Sequence, residues 1–266
     1  MIITVASGKG GTGKTFASVH LYAAGCPDTF LADCDVEEPN ALLFLQEHDL
    51  QRRDVYRQVP VIDHQRCRTC GTCSSFCSFG SIALLGDQVK TFPDLCRSCG
   101  GCTLVCPEKA ITEKPYEVGY IEFSEKFIQG VLKVGSVSVV HMIREVISHI
   151  PDHELIIIDG PPGVNCPAMA AVAPADHVLL VGEPTPFGLH DITRMAEALE
   201  ELGKPFSVLV NKVKTTDDII SRWCRDHGYR NVGTIHDDYR IRQSCVNGEL
   251  SEAHIPVFKQ ILKELI

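Results

Sequence analysis

The chain has 266 residues, of which 44% are hydrophobic and 22% charged. It is long enough for one or two self-sufficient cores, and this balance excludes disordered and fibrous classes. With 25 Lys and Arg against 34 Asp and Glu the net charge is −9, so neither nucleic acid nor an anionic membrane is an expected partner.

No apolar run reaches the roughly 18 residues of a membrane span, and Met1–Gly13 lacks the charged start and cleavage site of a signal peptide. The chain is therefore read as cytoplasmic. Ile2–Ala6 reads as a buried strand, Lys14–Ala24 as a helix and Thr29–Asp33 as a second strand, a parallel βαβ unit. From about Pro60 to Pro115 helical periodicity fades and cysteines recur every three or four residues. Two similar halves, Asp63–Leu85 and Pro93–Thr112, make this stretch an internal duplication, read as an inserted small α+β domain over 60–115. Strands are then expected at Leu155–Asp159, His177–Val181, Phe206–Val210 and Asn231–Ile235. Helices near Leu189–Glu201, Asp217–His227 and Ile255–Ile266 alternate with them. Continuous apolar strands between helices predict a doubly wound, mainly parallel α/β sheet, formed by 1–59 and 116–266 on either side of the insert. The last helix carries Phe258, Ile261, Leu262 and Leu265 on one face and is read as packing on the core.

Chemistry enters at the first βα turn. Gly8-Lys9-Gly10-Gly11-Thr12-Gly13-Lys14-Thr15 has Gly8, Gly13, Lys14 and Thr15 where a phosphate loop requires them. Glycines let backbone N–H groups point at phosphate oxygens, and the helix beginning at Lys14 adds its positive end. Lys14 is expected to reach the β- and γ-phosphates, and the Thr15 hydroxyl to hold Mg²⁺.

A second lysine early in the loop, Lys9, makes this the deviant form, and here the sequence resembles the MinD/ParA/Mrp superfamily, which includes the nitrogenase iron protein. The resemblance implies an ATPase in which Lys9 crosses a dimer interface to a partner's nucleotide, the partner being an identical or a similar chain. Members with such an insert are often encoded as neighbouring pairs. Phe16 departs from the family, which usually has a second threonine there to contact the α-phosphate. Asp33-Cys34-Asp35, followed by Pro39-Asn40, resembles the first switch. It implies that Asp35 orients or deprotonates the attacking water and that Asp33 supports Mg²⁺ through water. Ile158-Asp159-Gly160-Pro161-Pro162-Gly163 resembles the second switch, with Asp159 in the Mg²⁺ shell. Asn211 and Lys212 close a strand where the family reads the adenine ring, and Thr234–Asp238 through Glu249 resembles the last base-contacting loop.

Thirteen cysteines in a chain without a secretory signal point to metal before disulfides. Cys67, Cys70, Cys73 and Cys77 fit C-x₂-C-x₂-C-x₃-C, and Cys96, Cys99, Cys102 and Cys106 repeat it. That is the bacterial ferredoxin run for two [4Fe–4S] clusters, in which the fourth cysteine of each run serves the other cluster. Cys67, Cys70, Cys73 and Cys106 are thus assigned to one cluster, and Cys96, Cys99, Cys102 and Cys77 to the second, with Gly71, Gly100 and Gly101 leaving room for them. Zinc sites and a disulfide knot are the competing readings, but zinc favours two separated C-x₂-C pairs. Ser78 departs from the run, which usually has proline after its fourth cysteine. Cys26, Cys34, Cys224 and Cys245 have no ligand spacing. Cys166 lies at an offset resembling a bridging-cluster ligand of the nitrogenase iron protein, although it also suits a structural cysteine beneath the second switch. The expected function is ATP-gated electron transfer to a redox partner. The alternatives are an iron–sulfur carrier, disfavoured by the lack of a late C-x-x-C pair, and a MinD/ParA-like spatial organiser with redox-sensing clusters.

Overall fold

The computed structural model describes residues 1–45, 47, 49–215 and 218–266. The elements in chain order are β1 (Ile2–Ala6), α1 (Lys14–Ala24), β2 (Thr29–Asp33), β3 (Gln51–Ile62), α2 (Thr72–Phe76), β4 (Ile82–Leu85), β5 (Gln88–Thr91), α3 (Gly101–Val105), β6 (Ile111–Phe123) and β7 (Phe127–Leu132). They continue as α4 (Val139–Ser148), β8 (Leu155–Asp159), α5 (Cys166–Val172), β9 (His177–Gly182), α6 (Pro186–Glu201), β10 (Phe206–Val213), α7 (Ile219–His227), β11 (Asn231–His236), α8 (Tyr239–Asn247) and α9 (Ile255–Leu265). The chain divides into two compact units, 1–52 with 121–131 and 143–266, and 53–120 with 132–142.

In the first unit the strands run in the order β11-β10-β9-β1-β8-β2-β7, and the neighbours pair in parallel. Parallel pairing needs crossovers, and the helices between the strands supply them. Alternation along each strand feeds two apolar layers. Leu179 and Val181 of β9 join Ile3, Leu31, Phe127 and Ile157 in one layer, with Phe16, Leu21 and Phe258 of the covering helices. Val178 and Leu180 join Val208 and Val210 in the other, with Met195, Leu199 and Trp223. A strand buried on both faces must read as a continuous apolar run, which is how β8 and β9 read. Helix starts are fixed locally: Asn165 accepts from Ala168 N–H, Thr185 from Gly188 N–H, and Asp218 from the N–H groups of Ile220 and Ser221. The helix expected over Asp217–His227 begins at Ile219; Asp217 lies outside the described residues. α9 buries Phe258, Ile261, Leu262 and Leu265 against α1. No helix among the described residues is long and apolar enough to cross a membrane.

One element was not foreseen. The sequence reading passed from the insert to the Leu155–Asp159 strand, whereas β7 lies beyond β2 in the sheet, with Leu31 opposite Phe127 and Asp33 opposite Gln129. Helix α4 follows it. Gln129 and Gly130 interrupt the apolar run of β7 and hide its period. The buried Gln129 is half satisfied: its Nε2 donates to Glu122 Oε2 at 2.7 Å, while its Oε1 is buried without a partner.

The second unit holds β3 beside β6, the antiparallel hairpin β4–β5, and the short helices α2 and α3. Its duplication is visible in the backbone. Left-handed residues recur 29 positions apart: Thr69 and Ser98 (φ 54° and 54°), Gly71 and Gly100 (φ 77° and 68°), Gly80 and Lys109 (φ 66° and 49°). Non-glycine residues are rare in this region of φ, so three such pairs in register mark a repeated loop rather than coincidence of sequence. Cys73, Ile82, Val89, Cys102 and Ile111 form the buried cluster inside it.

Candidate functional site

Because β2, β8 and β1 are adjacent and parallel, their carboxyl ends gather the predicted groups at one rim, the usual ligand crevice of an open α/β sheet. Asp33 and Asp159 stand opposite each other in the β2–β8 register, and Val5 stands opposite Asp159. The phosphate loop leaves β1 and enters α1 through Gly13, whose φ of 96° is left-handed. A Cβ at Gly13 would lie 2.2 Å from Asn211 Nδ2. Glycine is required there on both counts, and the close approach lets Asn211 Nδ2 donate to Thr12 O at 2.8 Å. Lys212, itself left-handed at φ 59°, donates from Nζ to Gly11 O at 2.6 Å. Asn211 and Lys212 therefore brace the loop from β10.

Lys14 is buried and close enough to Asp35 and Asp159 for its charge to favour their ionised forms. Asp159 accepts from Ser18 Oγ at 3.0 Å through Oδ1, and the Thr15 side chain favours its ionised form. Its Oδ2 is buried without a partner, as is Thr12 Oγ1. Burial raises the Asp159 pKa against these contacts. Asp33, fully buried, accepts from Asp35 N–H through Oδ1 and from the N–H groups of Asn40 and Ala41 through Oδ2. It thus ties down the first-switch loop, and burial with the Asp159 charge pushes its pKa up to about 8. Asp35 is half-buried, and burial pushes it up to about 6.

Lys9 pairs with Glu183 at 3.3 Å, and Lys212 approaches the same carboxylate at 3.9 Å. Gly8 sits where a Cβ would meet Asp191 O at 2.3 Å, so α6 backs the start of the loop; Gly10 and Gly11 face open space. A pocket of about 530 Å³ opens beside Gly13, lined by Phe16, Asn211 and Lys212 and, from the β11–α8 region, by His236, Asp237, Asp238, Ile241, Arg242, Cys245 and Val246. Phe16 packs its ring on His20 (4.1 Å) and Phe258 (5.7 Å). Sequence reasoning missed Ser18 and Glu183. A serine one turn into a helix and a glutamate after a strand carry no motif.

In the second unit Cys67, Cys70, Cys73 and Cys106 line one cavity. Burial, helped by the neighbouring Cys96 and Cys99, pushes the Cys102 pKa up to about 11. The Cys77 Sγ lies 3.0 Å from Ser81 Oγ. Gly71 and Gly100 are the left-handed residues that start α2 and α3. Gly101 is small for a different reason from the one expected: the Phe76 ring occupies the space, 2.3 Å from where its Cβ would be. Among the described residues no group of three or more His, Cys, Asp or Glu side chains closes on a metal ion. Cys166 is exposed at the first residue of α5.

Residues 3–250 match CbiA, the CobQ/CobB/MinD/ParA nucleotide binding domain. The chain belongs to this family. Two relatives from Methanocaldococcus jannaschii share its length: the uncharacterized proteins MJ0579 (32% identical over 227 residues, 82% of each chain) and MJ0578 (36% over 220 residues, 80% of this chain and 78% of that one). The fold is also that of the septum site-determining protein MinD complexed with Mg-ADP from Pyrococcus horikoshii, with TM-score 0.59, 20% identity, and coverage of 99% of this chain and 94% of that one. The family accounts for the parallel sheet and the phosphate loop.

Proposed function

We propose that the chain is an ATP-hydrolysing switch of the MinD/ParA kind whose cysteine unit carries two [4Fe–4S] clusters. The observation that carries the first half is the arrangement of Lys14, Thr15 and Asp159 at the end of the phosphate loop, with Asp159 Oδ2 buried and unpartnered. A buried carboxylate oxygen without a donor is costly, and Mg²⁺ beside the loop would satisfy it. Thr15 and Asp159 would hold that ion, and its charge would offset the negative charge of the transferring phosphoryl group. Lys14 would turn to the β- and γ-phosphates, and the Phe16 pocket would take the base. Asp35 would hold the attacking water. Its raised pKa makes it a better proton acceptor near neutral pH than an ordinary aspartate. The water oxygen bonds to the γ-phosphorus as the bond to the bridging oxygen breaks, and ADP leaves with that electron pair. Lys9 would leave Glu183 for the nucleotide of a second chain, making closure of the dimer depend on ATP.

The cavity shared by Cys67, Cys70, Cys73 and Cys106 supports the second half, because it joins the last cysteine of one run to the first three of the other. Phe76 packed on Gly101 brings the end of α2, where Cys77 follows, beside the run Cys96–Cys102. When bound, the clusters would supply one-electron redox chemistry. The family likeness favours nucleotide-dependent assembly as the output, with the clusters as sensor. The paired cysteine sets favour electron transfer as a second reading.

The test is an anaerobic preparation assayed for iron, ATP turnover and assembly. About eight irons per chain, MgATP-dependent dimers on size exclusion and their loss in Lys9→Ala would support both halves. Lys14→Ala should lose turnover by at least a hundredfold. Turnover and dimers without iron would sink the cluster half alone. Iron bound without any nucleotide response would sink the switch. Cluster potentials that move with MgATP would select electron transfer.

A further inference from the structure

The two cysteine sites differ in one buried charge. Arg57, on β3, is only 4% exposed, yet it lies inside a unit otherwise solvated at its charged groups. Its guanidinium partners are neutral oxygens. One terminal nitrogen donates to Ser138 Oγ, and the other donates to Pro93 O at 2.8 Å and Asp94 O at 3.4 Å. Its Nε is buried with no partner, and the Tyr116 ring lies 5.9 Å from the guanidinium carbon. Pro93 O also accepts from Cys96 N–H at 2.9 Å, so Arg57 grips the turn that presents Cys96. Burial acts most strongly on Arg57 and lowers its pKa, and Cys96, Asp94 and Tyr116 are the neighbours that favour its charge. Arg97 lies on the same side but is exposed, donating to Val137 O and lying over the Phe79 ring. At the other site Arg68, the repeat counterpart of Arg97, is exposed and paired with Glu108 at 3.4 Å, which screens it in water.

We propose that Arg57 makes the two sites unequal, raising the reduction potential of the group held by Cys96, Cys99, Cys102 and Cys77 above that of the group held by Cys67, Cys70, Cys73 and Cys106. The inference rests on the cluster reading above. Reduction adds one negative charge to a site, and a fixed positive charge in a poorly solvated setting stabilises that added charge more than a screened surface cation does. Arg57 is guanidinium at any working pH, so the bias is permanent. An electron entering the pair rests preferentially on the Cys96 side. Arg57 is a positioning and tuning residue; it touches the turn and the field, not the reacting partner.

The experiment is an anaerobic redox titration with dithionite, followed by optical and electron-paramagnetic spectra, on iron- and sulfide-reconstituted full-length protein. Wild type should show two one-electron steps. Cys99→Ser should perturb the upper one and Cys70→Ser the lower. In Arg57→Gln the reduced-to-oxidised ratio of the upper step should fall at least tenfold at fixed potential, a 59 mV shift for one electron, with the lower step in place. Arg57→Lys should restore most of it. Asp94→Asn removes the exposed carboxylate that opposes Arg57 and should move the same step upward, so the idea stays testable if Arg57→Gln loses iron. Equal shifts in both steps, or fully loaded variants in which the upper step does not move, would overturn the tuning role. Wild type that binds no iron would overturn the cluster reading and this inference with it, a result separable by the iron count alone.

Discussion

At the residue scale, Asp33 and Asp159 set the ligand-free protein against its own function. Two buried carboxylates at the ends of neighbouring strands repel each other, and burial disfavours the charge on both. The folded protein therefore keeps protons that the unfolded chain, with an aspartate pKa of about 3.9, has released. Stability from this pair is complete below that pH and is lost as pH rises through the folded value of about 8 for Asp33. Asp159→Asn should consequently raise the melting temperature of the ligand-free protein, by about 2–4 °C for each kcal/mol recovered. The gain should be negligible at pH 4 and grow toward pH 9. The same variant should lose Mg²⁺-nucleotide binding. Melting scans against pH, with and without MgADP, measure both; a gain that is flat with pH would show that the pair is not the source.

Asp35 follows the same sign over a narrower window. Its pKa of about 6 means that its destabilising contribution develops between about pH 4 and pH 6 and is complete at neutrality. Asp35→Asn should stabilise the protein at pH 7 by about 1–3 kcal/mol in urea unfolding, leave ATP binding intact, and slow turnover. A turnover rate unchanged in Asp35→Asn would remove this carboxylate from the hydrolytic role.

At the scale of elements, Phe16 joins helix packing to the base pocket. It sits at the third position of α1, where the family it resembles usually has a second threonine. Its ring instead closes the α1–α9 contact with His20 and Phe258. Phe16→Ala should cost about 3–5 kcal/mol, as for a large buried side chain, while Phe16→Thr should recover loop chemistry at a smaller packing loss. Denaturant midpoints paired with nucleotide affinity separate the two effects. What was legible in the sequence has a shared cause. The phosphate loop and the strand ending at Asp159 were readable because local backbone chemistry admits few residues there. β7 and Glu183 were not, because their placement is decided by distant partners. Gln129 is buried only because Glu122 lies beside it, and Glu183 meets Lys9 only after the sheet is assembled. The helix expected near Asp217–His227 was legible from its alternation with strands, and its start at Ile219 is fixed by the Asp218 cap.

At the scale of the whole molecule, the two units differ in what holds them together. The first has two aliphatic layers over a parallel sheet. The second has around its cysteines a cluster in which Cys73 and Cys102 stand beside three aliphatic side chains, and a core that small rarely supplies more than about 3–5 kcal/mol. Its charge differs too: the second unit has nine Lys and Arg against seven Asp and Glu, within a chain of net charge −9. The cysteine unit should therefore take much of its stability from what the thiols bind. Calorimetry of the anaerobically reconstituted protein should show two transitions. Removing iron should lower or erase one, and MgATP at a hundred times its dissociation constant should raise the other by the equivalent of about 2.7 kcal/mol. Limited proteolysis should cut the iron-free chain within 53–120 before it cuts the sheet. A single transition that both ligands move together would mean that the units unfold as one, and nucleotide and iron would then be thermodynamically linked through the fold.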